Sequence, residues 1–377
     1  MMNFSRDKHL VYVITEDWFF ASHFLDRAQA AIKAGYRVSV VTRCRDAAKH
    51  LESLGIEFVN IEFARRGLNP FAEIATIIKL RSILTKLRPD IIHNIALKPV
   101  VLGSIAAQLA RFRNVVNAPV GMGYVFTSDE KQALFLRPFV KVLIRYVLSR
   151  QNSRVIIENN DDLDNLVTGK FAKRTSIALI KGAGVDLNKF QPTQEPPTPI
   201  NVIMVSRMLR DKGVNEYVEA ARLISKNDKT TNFVLVGDVD DGNPTSITHK
   251  QLNEWNQESN VKWLGARTDI ATLFSNSHIA CLPSYREGLP KSLIEAAASG
   301  LPIVTTDVPG CREIVVEGVN GFLVPARDST QLAMAIQKLI ENPILRLKMG
   351  ANNRQKAELE FANEIIIQQT HSVYDSF

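Results

Sequence analysis

Cysteine is scarce. The 377-residue chain has three, Cys44, Cys281 and Cys311, odd in number, far apart and without a CxxC spacing, which excludes a disulfide framework and a cysteine zinc site. The seven histidines form no HExxH and no other pair at helical spacing, so the usual zinc enzymes are excluded as well. No stretch of about 18 uncharged apolar residues occurs, so no membrane span is expected. The first residues carry Arg6, Asp7 and Lys8 in place of the apolar run of a signal peptide, and a reducing cytoplasm is the expected compartment. Gly121-Met122-Gly123 lacks the third glycine of a dinucleotide fingerprint, which disfavours an NAD enzyme. Interleaved aromatic and basic residues are missing, so a nucleic-acid partner is not expected. Internal repeats and low-complexity tracts are missing too.

What remains is the composition of a globular protein, 45% apolar and 23% charged, long enough for two domains. The net charge of +7 is uneven. Residues 1–190 hold 28 basic against 17 acidic side chains, which leaves 18 against 22 for the rest. An excess of that sign asks for an anionic neighbour: nucleic acid, an acidic lipid surface or a phosphorylated substrate.

Apolar runs alternate with helix-like segments in the first half: LVYVIT (10–15), then 38–41, 58–63, 91–95, 115–120, 155–159 and 176–180. A second set lies at 201–206, 232–237, 261–265, 279–283 and 302–306. Runs of this kind read as strands buried on both faces of parallel sheets. Asn69-Pro70 reads as the N-cap and first residue of a helix running to Leu87. The segment QPTQEPPTP (191–199) has four prolines in nine residues and reads as a linker. The expected organisation is a Rossmann-like domain over 1–190, the linker, a second over 200–355, and a C-terminal helix over 356–377 that can pack back on the first domain. Ligands of doubly wound sheets bind at the carboxyl ends of strands, so function should sit in the loops that follow them.

Two such loops carry chemistry. In SRMLRDKG (206–213), Arg207 and Lys212 straddle a strand-to-helix turn and can converge on one anion. In PSYREGLPKSLIEA (283–296), Pro290 reads as a first-turn residue, and the N–H groups of that helix start can take a phosphate. Carboxylates accept bidentate hydrogen bonds from vicinal hydroxyls, so Glu295 suits a ribose and Glu287 a hexose. Each feature also has a plain structural reading, as a solvated charged loop or as a glutamate balancing local charge. Asp238-Val239-Asp240-Asp241 offers a superficial DxD metal pair, but no metal is expected, because Arg207 and Lys212 supply the positive charge.

Four features occur in order: GAGVDLNKFQP (182–192), SRMLRDKG, the glutamates of EGLPKSLIE (287–295), and VNGFLVPARD (319–328). Together they resemble the retaining glycosyltransferases of family 4, along nearly the whole chain. The resemblance implies a GT-B fold, two Rossmann-like parallel-sheet domains facing a central cleft. It also implies that Arg207 and Lys212 bind the donor diphosphate and Glu295 the ribose. Glu287, with the backbone of Gly288, Leu289 and Pro290, would contact sugar and phosphate, and Arg267 would lie beside the base. Many members place a histidine in the loop matched by VVNAPVGMGYVF (115–126); here Pro119, Val120 and Gly121 stand there, as in a subgroup with a GLGYVF-like loop around Gly121 and Gly123. His23 and His93 are the remaining candidates for a base, each also readable as a packed histidine.

Segments such as EFARRGLNPF and CLPSYREGLPKSLIEAAASGLPIV resemble bacterial enzymes of capsule, O-antigen and lipid-linked glycan assembly, among them the N-acetylgalactosaminyltransferases that extend lipid-linked bacillosamine. The expected activity is transfer of a hexose or N-acetylhexosamine from a sugar nucleotide, UDP-linked, to a polyprenyl-diphosphate-linked acceptor. The rivals are a transferase with a small soluble acceptor and a silent scaffold that binds a sugar nucleotide. Basic residues Arg65, Arg66, Lys79, Arg81, Lys86 and Arg88, and Arg137, Lys141 and Arg145 at every fourth position, predict contact with an anionic membrane surface.

Overall fold

The computed structural model describes residues 8–63, 69–120, 131–240, 242–258 and 260–377, and for 131–136 the backbone only. Gly121 and Gly123, and with them Arg65, Arg66 and Asp241, lie outside the described residues. The chain divides into two compact units, residues 1–181 with 366–377, and residues 182–365.

The first unit holds seven strands: β1 (His9–Glu16), β2 (Arg37–Arg43), β3 (Ile56–Asn60), β4 (Ile91–Ile95), β5 (Val115–Ala118), β6 (Ser153–Ile157) and β7 (Ile177–Leu179). Every pairing is parallel, in the order β3-β2-β1-β4-β5-β6-β7, so the winding direction reverses between β1 and β4. One face is covered by the helices Pro70–Leu87, Leu97–Leu109 and Lys131–Leu148, whose Leu80, Leu84, Val100 and Ile144 share one core. The other face carries Phe20, Phe24 and Ala28 together with Ile366 and Tyr374 from the last helix. As the sequence predicts, Asn69 caps the helix Pro70–Leu87, its side chain accepting the Phe71 N–H at 3.1 Å.

The second unit has six parallel strands, β8 (Asn201–Val205), β9 (Asn232–Val236), β10 (Val261–Trp263), β11 (Ile279–Leu282), β12 (Ile303–Thr306) and β13 (Gly321–Val324). Their order is β10-β9-β8-β11-β12-β13, with the reversal between β8 and β11. Strand β13 is absent from the sequence reading, because four residues framed by turn signals carry no period of their own. It is identified only by its parallel register with β12, Ile303 opposite Gly321.

The chain changes units at places the proline pattern does not mark. Residues 182–190 belong to the second unit: Val185 bridges Ala362, and Phe190 lies in the second core. The proline-rich segment is packed and not a free tether. Glu195 forms a bidentate pair with the buried Arg346 at 2.7 and 3.0 Å, and the carbonyl of Pro196 lies 3.0 Å from His278 Nε2. At the other end, the helix Pro343–Lys356 runs on through a π turn, Ala357–Phe361, within the second unit, so only residues 366–377 join the first. Ala357 and Phe361 are wholly buried in the second core, which ties that turn down.

Candidate active site

The reversal between β8 and β11 places the two charged loops side by side at the carboxyl edge of the sheet, the position where doubly wound sheets take ligands. Buried Met208 and Leu209 anchor the first loop while Arg207 and Arg210 point outward. It ends in a 3-10 turn, Arg210–Lys212, and Gly213 at φ 75°. Only glycine fits there, since a Cβ would also run into the carbonyl of Pro283. The second loop closes on the first: Tyr285 N–H donates to the Asp211 carbonyl at 2.8 Å, and the buried Ser284 hydroxyl reaches the same oxygen at 3.1 Å. From below, the Thr306 hydroxyl donates to the Ser284 carbonyl, and Gly310 lies so close under Glu287 and Gly288 that a Cβ would meet their carbonyls.

This packing brings Lys212 and Glu287, 75 positions apart, into an ion pair at 2.5 Å with side chains 21% and 10% exposed. Beneath it the Cys311 thiol is pushed up to about 12 by burial and by the Glu287 charge, so it stays protonated. Arg207 does not share this partner. Its guanidinium donates to Asp240 at 2.8 Å, in the segment after β9 that resembles a metal motif, so that carboxylate faces a cation already. Arg267 forms a bidentate pair with Asp269 at 2.6 and 2.8 Å, which directs its guanidinium along its own loop.

Glu295 lies one turn inside the helix Lys291–Ala298. Burial raises its pKa above the ordinary carboxylate range, countered by Lys291 at 3.6 Å and by Lys189 from the GAGVDLNKF segment. Pro290 is the N-cap of this helix and not its first residue: its ψ of 113° is extended, and Lys291 begins the turn. The cap supplies no side-chain acceptor, and the Leu293 N–H turns back to the Pro290 carbonyl at 3.0 Å. Leu289 is buried against Gly182, which has no Cβ to clash.

Two further contacts escaped the sequence reading. The Tyr285 hydroxyl donates to Glu216 at 2.6 Å, and the Arg327 guanidinium stacks 4.6 Å from the Tyr285 ring. Arg327 belongs to VNGFLVPARD and Gly182 to GAGVDLNKFQP, so all four motifs converge around the loop 283–290. Their recurrence in order was the signal; the contacts themselves follow from the fold.

In the first unit the two histidines part company. His93, at the centre of β4 opposite Tyr12, is wholly buried, its Nδ1 2.8 Å from the Tyr374 hydroxyl. Burial, with Arg27 nearby, lowers its pKa to about 3, so it is neutral and belongs to the core, not to a surface that substrate could reach. His23, half-buried in the last turn of the helix Asp17–His23, stacks on Phe19 with ring centroids 4.4 Å apart and lies 2.5 Å from the Ser22 hydroxyl. That helix follows β1 at the reversal point of the first sheet, and Trp18 beside it is 42% exposed.

Two doubly wound parallel-sheet units, one with a cationic loop cluster at its switch point, define the GT-B class. Residues 9–160 match the family described as glycosyl transferase 4-like, and residues 186–356 the family described as glycosyl transferases group 1. The chain is 32% identical to the N,N'-diacetylbacillosaminyl-diphospho-undecaprenol alpha-1,3-N-acetylgalactosaminyltransferase of Campylobacter jejuni, over 90% of each chain. It is 27% identical to the UDP-Gal:alpha-D-GlcNAc-diphosphoundecaprenol alpha-1,3-galactosyltransferase of Escherichia coli, over 77% of this chain and 76% of that one. Among solved structures, the sucrose-phosphate synthase of Thermosynechococcus elongatus superimposes with a TM-score of 0.80 at 20% identity, over 98% of each chain. HepE of Anabaena, solved with UDP-glucose, gives 0.77 at 21% identity, over 98% of this chain and all of that one; both likenesses speak to fold. The chain belongs to the family 4 glycosyltransferases and is a glycosyltransferase.

Proposed function

We propose that this glycosyltransferase moves a hexose or N-acetylhexosamine, with retention, from a UDP-sugar to a polyprenyl-diphosphate-linked glycan. The observation that carries the donor half is the Lys212–Glu287 pair at the β8/β11 switch point. The names of the Campylobacter jejuni and Escherichia coli relatives support the acceptor half, since both specify a diphospho-undecaprenol substrate.

In this reading Arg207 and Lys212 take the donor diphosphate, and the uncapped helix start beyond Gly288, Leu289 and Pro290 adds N–H donors. Glu295 receives the ribose hydroxyls and Glu287 the sugar. The base lies against the backbone around Arg267, whose guanidinium is held by Asp269. As the anomeric C–O bond breaks, negative charge grows on the diphosphate, and fixed cations stabilise it more in the transition state than in the ground state. The acceptor hydroxyl attacks from the same face and passes its proton to the leaving phosphate oxygen. That step needs neither a histidine base, consistent with the buried His93, nor a resident metal. No helix among the described residues is long and apolar enough to cross a membrane. In this reading the lipid-borne acceptor is met at the inner face of the cell membrane.

Calorimetric binding of UDP, GDP, ADP and CMP to the wild type and to Lys212→Ala, at fixed salt without added metal, tests the donor site. UDP should bind best and the substitution should weaken it by about 1.5–3 kcal/mol. Equal binding by both proteins would remove Lys212 from the site. Transfer from UDP-sugars to a polyprenyl-diphosphate glycan, with the anomeric configuration of the product read by NMR, then tests the acceptor and retention.

A further inference from the structure

We propose that Tyr285 is a positioning residue of the donor site, which fixes the Lys212–Glu287 pair from both sides without itself touching the nucleotide. This role rests on the reading of that pair as part of the diphosphate site. Tyr285 stands two residues before Glu287 in the loop after β11. Its N–H donates at 2.8 Å to the carbonyl of Asp211, the residue before Lys212. Its hydroxyl donates at 2.6 Å to Glu216, 69 positions away in the first turn of the helix Val214–Ser225, which begins just beyond Lys212 and Gly213. One tyrosine therefore grips the chain on each side of Lys212, while Glu287 rides on the same loop two residues on.

The hydroxyl matters as a donor. One oxygen of Glu216 takes it as partner, and the other is buried with no partner among the described residues. A shielded carboxylate with one hydrogen bond depends on that bond, because leaving it unmade costs more than a typical bond gains. Burial and the Glu216 carboxylate raise the Tyr285 pKa, so the group keeps its proton at neutral pH. The ring is covered by Arg327, whose guanidinium lies 4.6 Å from its centroid. Arg327 holds a left-handed backbone, φ 65°, which residues with a Cβ adopt rarely and at some cost. Segments that follow β8, β11 and β13 thus meet on one side chain. Lysine is a point charge on a flexible stem, so the place of Lys212 is set by its backbone and by Glu287. A fixed charge favours the growing diphosphate charge most, and a misplacement of about 1 Å can cost about 100-fold in rate.

The test is a double-mutant cycle on the full chain, read by UDP calorimetry. Tyr285→Phe keeps the ring beneath Arg327 and removes only the hydroxyl. It should weaken UDP roughly tenfold in the wild type and by less than about twofold in the Lys212→Ala background, because it acts through Lys212. Glu216→Leu removes the acceptor without stranding a carboxylate and should reproduce that loss. Glu216→Gln keeps an acceptor oxygen and should bind UDP within about twofold of wild type. Thermal melts identify the folded variants, and if Tyr285→Phe does not fold, Glu216→Leu takes its place in the cycle. Equal weakening in both backgrounds would make Tyr285 a direct ligand contact or a general stabiliser, and overturns the proposal. So does a loss in Glu216→Gln as large as that in Glu216→Leu. A normal Lys212→Ala effect with a silent Tyr285→Phe sinks the positioning role alone. If Lys212→Ala itself leaves UDP binding unchanged, the donor-site reading fails and the role of Tyr285 fails with it.

Discussion

Both units wind a parallel sheet outward from a central strand pair, β1 with β4 and β8 with β11, yet they place their cations in opposite ways. In the second unit the cations of the loop cluster face carboxylates, Lys212 with Glu287 and Arg207 with Asp240 across loops, and Lys291 with Glu295 one turn along a helix. In the first unit Lys79, Lys86 and Lys141 stand exposed on the outer helices, and its switch point carries aromatic Trp18 and Phe19. The same architecture thus gathers paired charges at one loop edge and spreads exposed lysines over one helix layer. The sheet decides where loops emerge; which charges are countered decides what they can hold.

The largest effect should come from breaking the paired edge. Lys212→Ala should lower kcat/KM roughly 10- to 200-fold, the value of one charge-assisted hydrogen bond. A double cycle with Glu287→Gln should give non-additive losses, and additivity would mean that the pair does not act as a unit. His93→Ala comes next, and in stability alone: removing a buried ring should cost about 2 kcal/mol in denaturant melts and leave kcat/KM within about twofold. A folded variant without turnover would restore His93 as a base.

Glu295→Gln separates binding from stability. Its raised pKa means that ionisation opposes folding, so its contribution to stability is complete below the ordinary glutamate pKa and is lost as pH rises through the folded value. The substitution should therefore raise the melting temperature at neutral pH while weakening UDP binding by about tenfold, one charged hydrogen bond. Wild-type affinity should also fall on acidification at a higher pH than an ordinary glutamate would give. The smallest effect belongs to Asp240→Asn. With Arg207 46% exposed, that ion pair is screened by solvent, and unfolding should shift by under about 1 kcal/mol. A larger loss would show that the Arg207–Asp240 pair is structural, as the Arg346–Glu195 pair is in the second unit.

Much of this was legible locally. Twelve of the thirteen strands follow from apolar runs, and the Asn69-Pro70 start from capping chemistry, because both depend on neighbours along the chain. Strand β13 was not, since its identity lies in pairing with β12. Nor did the prolines mark the division between units: Glu195 and Pro196 are held by Arg346 and His278, which lie far along the chain.

The sequence alone determined the doubly wound class, the family, and the two loops at the carboxyl edge, because periodicity and ordered motifs are local and survive without coordinates. Only the tertiary structure decided that Lys212 meets Glu287 while Arg207 turns to Asp240, and that His93 is sealed in the core. Ion pairing and burial depend on which distant segments the sheet register brings within a few ångströms, and no spacing along the chain encodes that.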